Sequence, residues 1–206
     1  MLIKTLPVGQ IETNCYIAAD EDTLECAIID PGDESNTILD YIEDLHLKPK
    51  YIFLTHGHFD HIGAVNALRE KLACPVYMQQ HGRDYAENPA WNLSDSFQEP
   101  IRLKDVTYLE NHAAIALKEQ PAFSVELIET PGHTTDGAIY YAKKDGIAFV
   151  GDTIFQGSYG RTDLPGGDMR TLLTSIKHTV LALPDETLLL SGHSGPTTVA
   201  EERPNF

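Results

Sequence analysis

At 206 residues with 42% hydrophobic content, the chain is long enough to bury a sizeable core and is expected to form one domain over 1–206. Thirty-one acidic against 15 basic residues leave a formal net charge of −16, and no Lys/Arg-rich tract is present to grip a polyanion, which argues against nucleic-acid binding. No run approaches the ~20 apolar residues that span a bilayer and no signal-peptide pattern is visible, so no membrane partner and a cytoplasmic location are expected, with Cys15, Cys26 and Cys74 as buried free thiols.

In chain order, apolar runs predict strands at about 2–8, 14–19 and 26–29. These lead through Pro31-Gly32-Asp33 to a helix with Ile38, Ile42 and Leu45 on one face and Asn36, Asp40, Glu43 and Asp44 outside. Tyr51-Ile52-Phe53-Leu54 reads as a buried strand. A second helix carries Val65, Leu68 and Leu72, and Pro75-Val76-Tyr77-Met78 closes a βαβ-like unit. Residues 84–104, which hold the only tryptophan, Trp91, have weak periodicity and read as a loop or short helical insertion, either a wall of a cleft or a surface excursion. Strands near 106–109, 113–118, 123–129, 138–143 and 146–151 are assigned to a second sheet, the last two paired around Lys144-Asp145-Gly146. The last helix, roughly 168–183, places Met169, Leu172, Leu173, Ile176 and Val180 on one face.

Directly after the run ending at Leu54 come His56, His58, Asp60 and His61, three histidines and an aspartate within six residues, at the entrance of the second helix. Neutral imidazole is a good donor to zinc and other borderline divalent ions, and a carboxylate adds the charge that histidines lack. Further donors stand after apolar runs downstream: His133 in Pro131-Gly132-His133-Thr134, Asp152 in Val150-Gly151-Asp152-Thr153 and His193 in Ser191-Gly192-His193-Ser194. A glycine precedes His58, His133, Asp152 and His193, permitting sharp turns and close backbone approach. One cleft can then collect all seven donors. His46, His81, His112 and His178 lack this context and read as surface or structural residues.

The H-x-H-x-D-H block, the later Gly-His, the Gly-Asp and the final Gly-His, in this order, resemble the metallo-β-lactamase superfamily. Within it, the stretch from Gly151 to Asp163 and the Gly192-His193-Ser194-Gly195-Pro196 ending are similar to short glyoxalase II-like hydrolases. The resemblance implies an α/β fold, a four-layer αβ/βα sandwich of two mixed sheets with outer helices. It also implies two divalent metal ions: His56, His58 and His133 at the first, Asp60, His61 and His193 at the second, and Asp152 bridging. Zinc is the first expectation, with iron and manganese also suited to such mixed nitrogen and oxygen donors, and the second-site donors do not by themselves require full occupancy.

Two cations sharing a water lower its pKa toward neutrality and make hydroxide available at pH 7, with Asp60 placed to orient it. The implied activity is hydrolysis of a small-molecule thioester, since a thiolate with a pKa near 8.5 departs without a dedicated proton donor. Arg161 and Tyr159 lie just past Asp152 and are candidate substrate contacts; Arg161 either grips a substrate carboxylate bidentately or pairs with Asp163 or Asp168.

The chain departs from longer glyoxalase II enzymes, which add a C-terminal helical domain forming part of the glutathione site, and Asp163 stands where a substrate-contacting tyrosine is expected. A different thiol carrier, or a small ester or lactone, is therefore an alternative. A mononuclear-iron persulfide dioxygenase using His56, His133 and Asp152 is a second alternative, and a non-catalytic metal-binding module a third. The sequence does not define an oligomeric state.

Overall fold

The computed structural model describes residues 1–117 and 123–206. Two six-stranded sheets face each other. The first takes β1 (Leu2–Val8), β2 (Thr13–Ala19), β3 (Glu25–Ile29), β4 (Lys48–Phe53), β5 (Val76–Gln79) and β6 (Val106–Leu109) in sequence order. The second takes β7 (Ala114–Ala116), β8 (Ser124–Glu129), β9 (Ala138–Ala142), β10 (Ile147–Gly151), β11 (Leu188–Ser191) and β12 (Thr197–Thr198), again as sequential neighbours. Both sheets are mixed. β1, β2 and β3 pair antiparallel while β3 to β6 run parallel, and in the second sheet the β10–β11 pair alone is parallel.

Strand alternation explains the layers. Along β2 and β3, Cys15, Ile17, Cys26 and Ile28 point to one core, while Tyr16, Ala18, Ala27 and Ile29 point to another. The first set packs on α1 (Ser35–Asp44) through Ile38 and Ile42, on α3 (Val65–Leu72) through Val65 and Leu68, and on α4 (Arg83–Glu87) through Tyr85. The second set meets Val125, Leu127, Tyr140 and Phe149 of the opposing sheet; Phe53 and Tyr140 stack at 4.7 Å. On the far side Ile139, Tyr141, Ala148 and Val150 face Leu172 and Ile176 of α5 (Met169–His178). Helix, sheet, sheet, helix is the resulting order, and strands buried on both faces are hydrophobic without interruption rather than alternating.

Five local expectations change. Val106–Leu109 belongs to the first sheet, where it lies parallel to β5 and packs Val106 and Tyr108 on the helix-side core, not to the second. The second helix is broken into α2 (Phe59–Ile62) and α3, where the Ala64 N–H leaves the helical ladder and donates to the Pro31 carbonyl at 3.0 Å. The last helix stops at His178 and continues only as a single 3₁₀ turn at Val180–Ala182. Leu45, read as a core position, follows the end of α1 and is 41% exposed. The strand expected over 113–118 covers Ala114–Ala116, and Lys118 lies outside the described residues.

Cys15, Cys26 and Cys74 are buried and unpaired, and His46, His81, His112 and His178 are exposed. Among the described residues no helix is long and apolar enough to cross a membrane.

Candidate metal centre

β3 and β4 run in the same direction, as do β8, β10 and β11, so their C-terminal ends can deliver side chains to one shared edge. Backbone bonds join the sheets there: Asn14 donates its N–H to the Gly192 carbonyl (2.7 Å) and Ala138 to the Thr55 carbonyl (2.9 Å). Tyr16 adds its hydroxyl to the Ser191 carbonyl at 2.7 Å. Gly151, at the end of β10, has φ +49°, and a Cβ there would overlap the Thr55 hydroxyl, so the turn into Asp152 requires glycine.

The edge brings together all seven donors named from the sequence. His56 Nε2 and His133 Nε2 lie 3.1 and 3.0 Å from His58 Nδ1. His61 Nε2 is 3.3 Å from Asp60 Oδ2 and 3.4 Å from Asp152 Oδ1. His193 Nε2 is 3.1 Å from Asp60 Oδ2 and 3.5 Å from Asp152 Oδ2, and His133 Nε2 is 3.6 Å from Asp152 Oδ2. Three overlapping triads could each hold an ion: His56, His58 and His133; His56, His61 and Asp152; and Asp60, His61 and His193.

Hydrogen bonds behind the cluster fix which nitrogen faces inward. The Arg161 carbonyl can only accept, so His133 Nδ1 donates to it at 2.6 Å and leaves Nε2 as a lone pair toward His58. Thr55 donates its hydroxyl to Asp30 Oδ2 (2.6 Å), which frees that oxygen to accept from His56 Nδ1 at 3.2 Å. His61 Nδ1 donates to the same Asp30 oxygen at 3.0 Å. Asp30 is 2% exposed, and the strand and turn patterns of the sequence did not single it out. Its signal was present: it follows a strand run as Asp152 does.

Thr13 donates to Asp60 Oδ2 at 2.8 Å, holding that carboxylate from behind. Burial alone would raise the Asp60 carboxyl, but the charge of His61 and the hydrogen bond from His193 hold it below the usual carboxylate range. Burial, and then the neighbouring imidazoles, keep His56 well below its ordinary value and push His58 down to about 3, so both stay neutral donors. The carboxylates act the other way on His61: Asp60, Asp30 and Asp152 outweigh burial and raise it well above 6.5.

The arrangement fits a cation on the chain's own observations. Three imidazole nitrogens at 3.0–3.1 Å are close to the ~3.3 Å edge expected of a tetrahedral zinc site. Among the described residues, His61 Nε2 and Asp152 Oδ1 are buried with no hydrogen-bond partner, and both face the cluster. A Cβ on Gly192 would overlap Asp152 Oδ1 and lie 2.8 Å from His61 Cε1, so glycine keeps this space clear of side-chain atoms.

A family profile described as the metallo-beta-lactamase superfamily matches residues 8–193. The chain belongs to that superfamily. Like other metallo-β-lactamase-fold chains it aligns along its whole length: it is 40% identical over 202 residues to the probable metallo-hydrolase YqgX of Bacillus subtilis (strain 168), covering 97% of this chain and 93% of that protein. It is 34% identical over 208 residues to the hydroxyacylglutathione hydrolase GloC of Haemophilus influenzae, with 98% and 95% covered. The crystal structure of the BLEG-1 B3 metallo-beta-lactamase superposes with a TM-score of 0.92 at 38% identity, covering 98% of this chain and 97% of that one. TTHA1623, solved in a di-iron-bound form, gives 0.84 at 32%, with 98% of each covered. The α/β sandwich expected from the sequence is thus the superfamily fold, and the chain is a member of a metallo-hydrolase superfamily.

A cleft of about 540 Å³ opens over the centre, lined by His58, His133, Asp152 and His193 and by Phe59, Phe97, Phe155, Tyr159 and Arg161 among others. Arg161 does not present a free fork to it. Its Nε and Nη2 donate to Asp163 Oδ1 and Oδ2 at 2.7 and 2.8 Å, so of the two sequence alternatives the structure shows the ion pair with Asp163. Tyr159 is 38% exposed, with its ring edge toward Phe206. Residues 84–104 combine both roles weighed for them: Trp91 packs edge-on against Tyr85, while Leu93 and Phe97 line the cleft.

Proposed function

We propose that this chain is a metal-dependent hydrolase of small thioesters, folded as one domain over 1–206. The convergence of His56, His58 and His133 beside Asp60, His61 and His193, with Asp152 between the two groups, carries the proposal. In this reading the first three hold one divalent ion, the second three another, and Asp152 both; zinc suits the nitrogen-rich set, and the di-iron form of a 32% identical neighbour makes iron the next candidate.

Bound there, the two ions supply Lewis acidity and lower the pKa of water toward neutrality. The chain's own residues do the rest. Asp60, ionised at neutral pH and fixed by Thr13, is placed to accept a proton. An ionised carboxylate does not donate one, which suits a leaving group that needs none: a thiolate departs as the anion. Apolar side chains of the cleft exclude bulk water from the reacting centre. A cleft of this volume accommodates a small molecule, and the net charge of −16 is ill suited to a polyanion. The name of the 34% identical Haemophilus relative supports the thioester assignment.

Likeness to a B3 metallo-beta-lactamase favours one competing reading, β-lactam hydrolysis. Turnover of acyl thioesters and of nitrocefin by metal-reconstituted protein, with a His58→Ala control, separates them. Thioester turnover lost in the control is expected. Turnover of nitrocefin alone would replace the proposal.

A further inference from the structure

A second, smaller cavity of about 120 Å³ adjoins the cleft, with Val8, Ile11, Phe59, Asp60 and Phe97 among its lining. Ile11, Phe59 and Phe97 line both cavities and form the partition between them. Phe97 lies flat on Phe59, with ring centroids 5.0 Å apart and planes 11° apart. Ile11 is 53% and Phe97 68% exposed. Exposed apolar side chains gathered at one opening, instead of scattered, mark a binding surface.

The small cavity is built onto the donor segment. A Cβ on Gly32 would overlap the Asp60 carbonyl, so the turn after β3 lies directly on the backbone of one of the seven donors. Phe59, between His58 and Asp60, donates its N–H to the Asn92 carbonyl at 2.8 Å. Asn92 is fully buried, and its side chain donates to the Tyr85 and Ile101 carbonyls at 2.8 and 3.1 Å. The single helical turn Ser94–Phe97 that carries the Phe97 wall is thereby fastened to the segment that carries the donors. Size then limits what the cavity takes. An apolar cavity of about 150 Å³ holds a benzene molecule, so this one, at about 120 Å³, accommodates a chain of about four or five carbons.

We infer that this cavity is an acyl subsite: it receives the acyl chain of a substrate whose carbonyl lies at the donor cluster, and Phe97 sets an upper limit of about four or five carbons beyond that carbonyl. The larger cleft of about 540 Å³ is left to the thiol carrier. The inference takes its reaction, thioester hydrolysis, from the proposed function.

Product carboxylates probe the subsite without turnover. Titration calorimetry on metal-loaded protein compares the straight-chain series from acetate to octanoate. In wild type, affinity is expected to rise about fourfold for each added methylene as far as pentanoate or hexanoate, and to rise no further at octanoate. Phe97→Ala removes the shared wall at an exposed position, and the rise should then continue through octanoate. Leu164 lines the larger cleft alone, and Leu164→Ala should leave the series as in wild type. A flat wild-type series, a wild-type rise that continues to octanoate, or a ceiling moved by Leu164→Ala and not by Phe97→Ala overturns the inference. The wild-type ceiling, moved by Phe97→Ala, together with an absence of thioester turnover would leave the subsite standing and remove only the proposed reaction. Thioester turnover with a flat carboxylate series would do the reverse.

Discussion

Asp30 Oδ2 accepts a hydrogen bond from His61 Nδ1 at 3.0 Å and a second, at 2.6 Å, from the hydroxyl of Thr55, which in turn receives His56 Nδ1. One buried carboxylate thereby orients a histidine from each of the two donor groups. Partners of this kind set tautomer and ring direction, and their loss typically weakens metal binding 10–100-fold. Asp30→Ala is therefore expected to lower zinc affinity by about that factor, read by chelator competition. Affinity equal to wild type would show that the rings are held by other contacts.

Gly192 is the second point of leverage. A Cβ at this position would overlap Asp152 Oδ1 and press on the His61 ring. Gly192→Ala should lower metal affinity by about tenfold or more while costing about 1–3 kcal/mol of stability, the usual range for overpacking. Metal content after gel filtration and a melting curve on the same sample separate the two effects. Unchanged metal content would contradict the close approach.

The other buried carboxylate near the centre predicts a pH dependence. Burial pushes Asp136 up to about 7 from an ordinary 3.8. Between those values the folded state holds a proton that the unfolded state has lost, so this group's contribution to stability falls as pH rises from 3.8 to about 7 and is level above. Asp136→Asn lacks this titration. Its melting temperature relative to wild type should climb across that window and then stay constant. A difference independent of pH would show that Asp136 is not protonated in the fold.

Much of this architecture was legible in the sequence because its signals are local. The apolar runs that became β2, β3, β4 and β10 are buried on both faces, so their hydrophobicity is continuous and easy to read. His56, His58, His133, Asp152 and His193 follow strand ends, with Asp60 and His61 just beyond in α2, and that placement predicts convergence once the strands share a direction. What escaped depends on contacts between distant segments. Asp30 looks like any turn residue until Thr55 and His61 arrive beside it. Val106–Leu109 could join either sheet on its composition, and only pairing with β5 decides. The second helix is interrupted because the Ala64 N–H donates to the carbonyl of Pro31, a residue distant in sequence. Arg161 offered two partners, and the choice of Asp163 is a matter of side-chain geometry.

In the proposed function the seven-donor cluster binds divalent metal and hydrolysis depends on it. The most direct measurement is metal content by mass spectrometry, taken together with thioester turnover, for wild type and His58→Ala before and after chelation and metal return. About two equivalents per chain, turnover abolished by the chelator and restored by zinc or iron, and a His58→Ala protein with reduced metal and no turnover are the predicted result. Full turnover in rigorously metal-free protein, or a folded wild type that takes up no divalent ion, would contradict it.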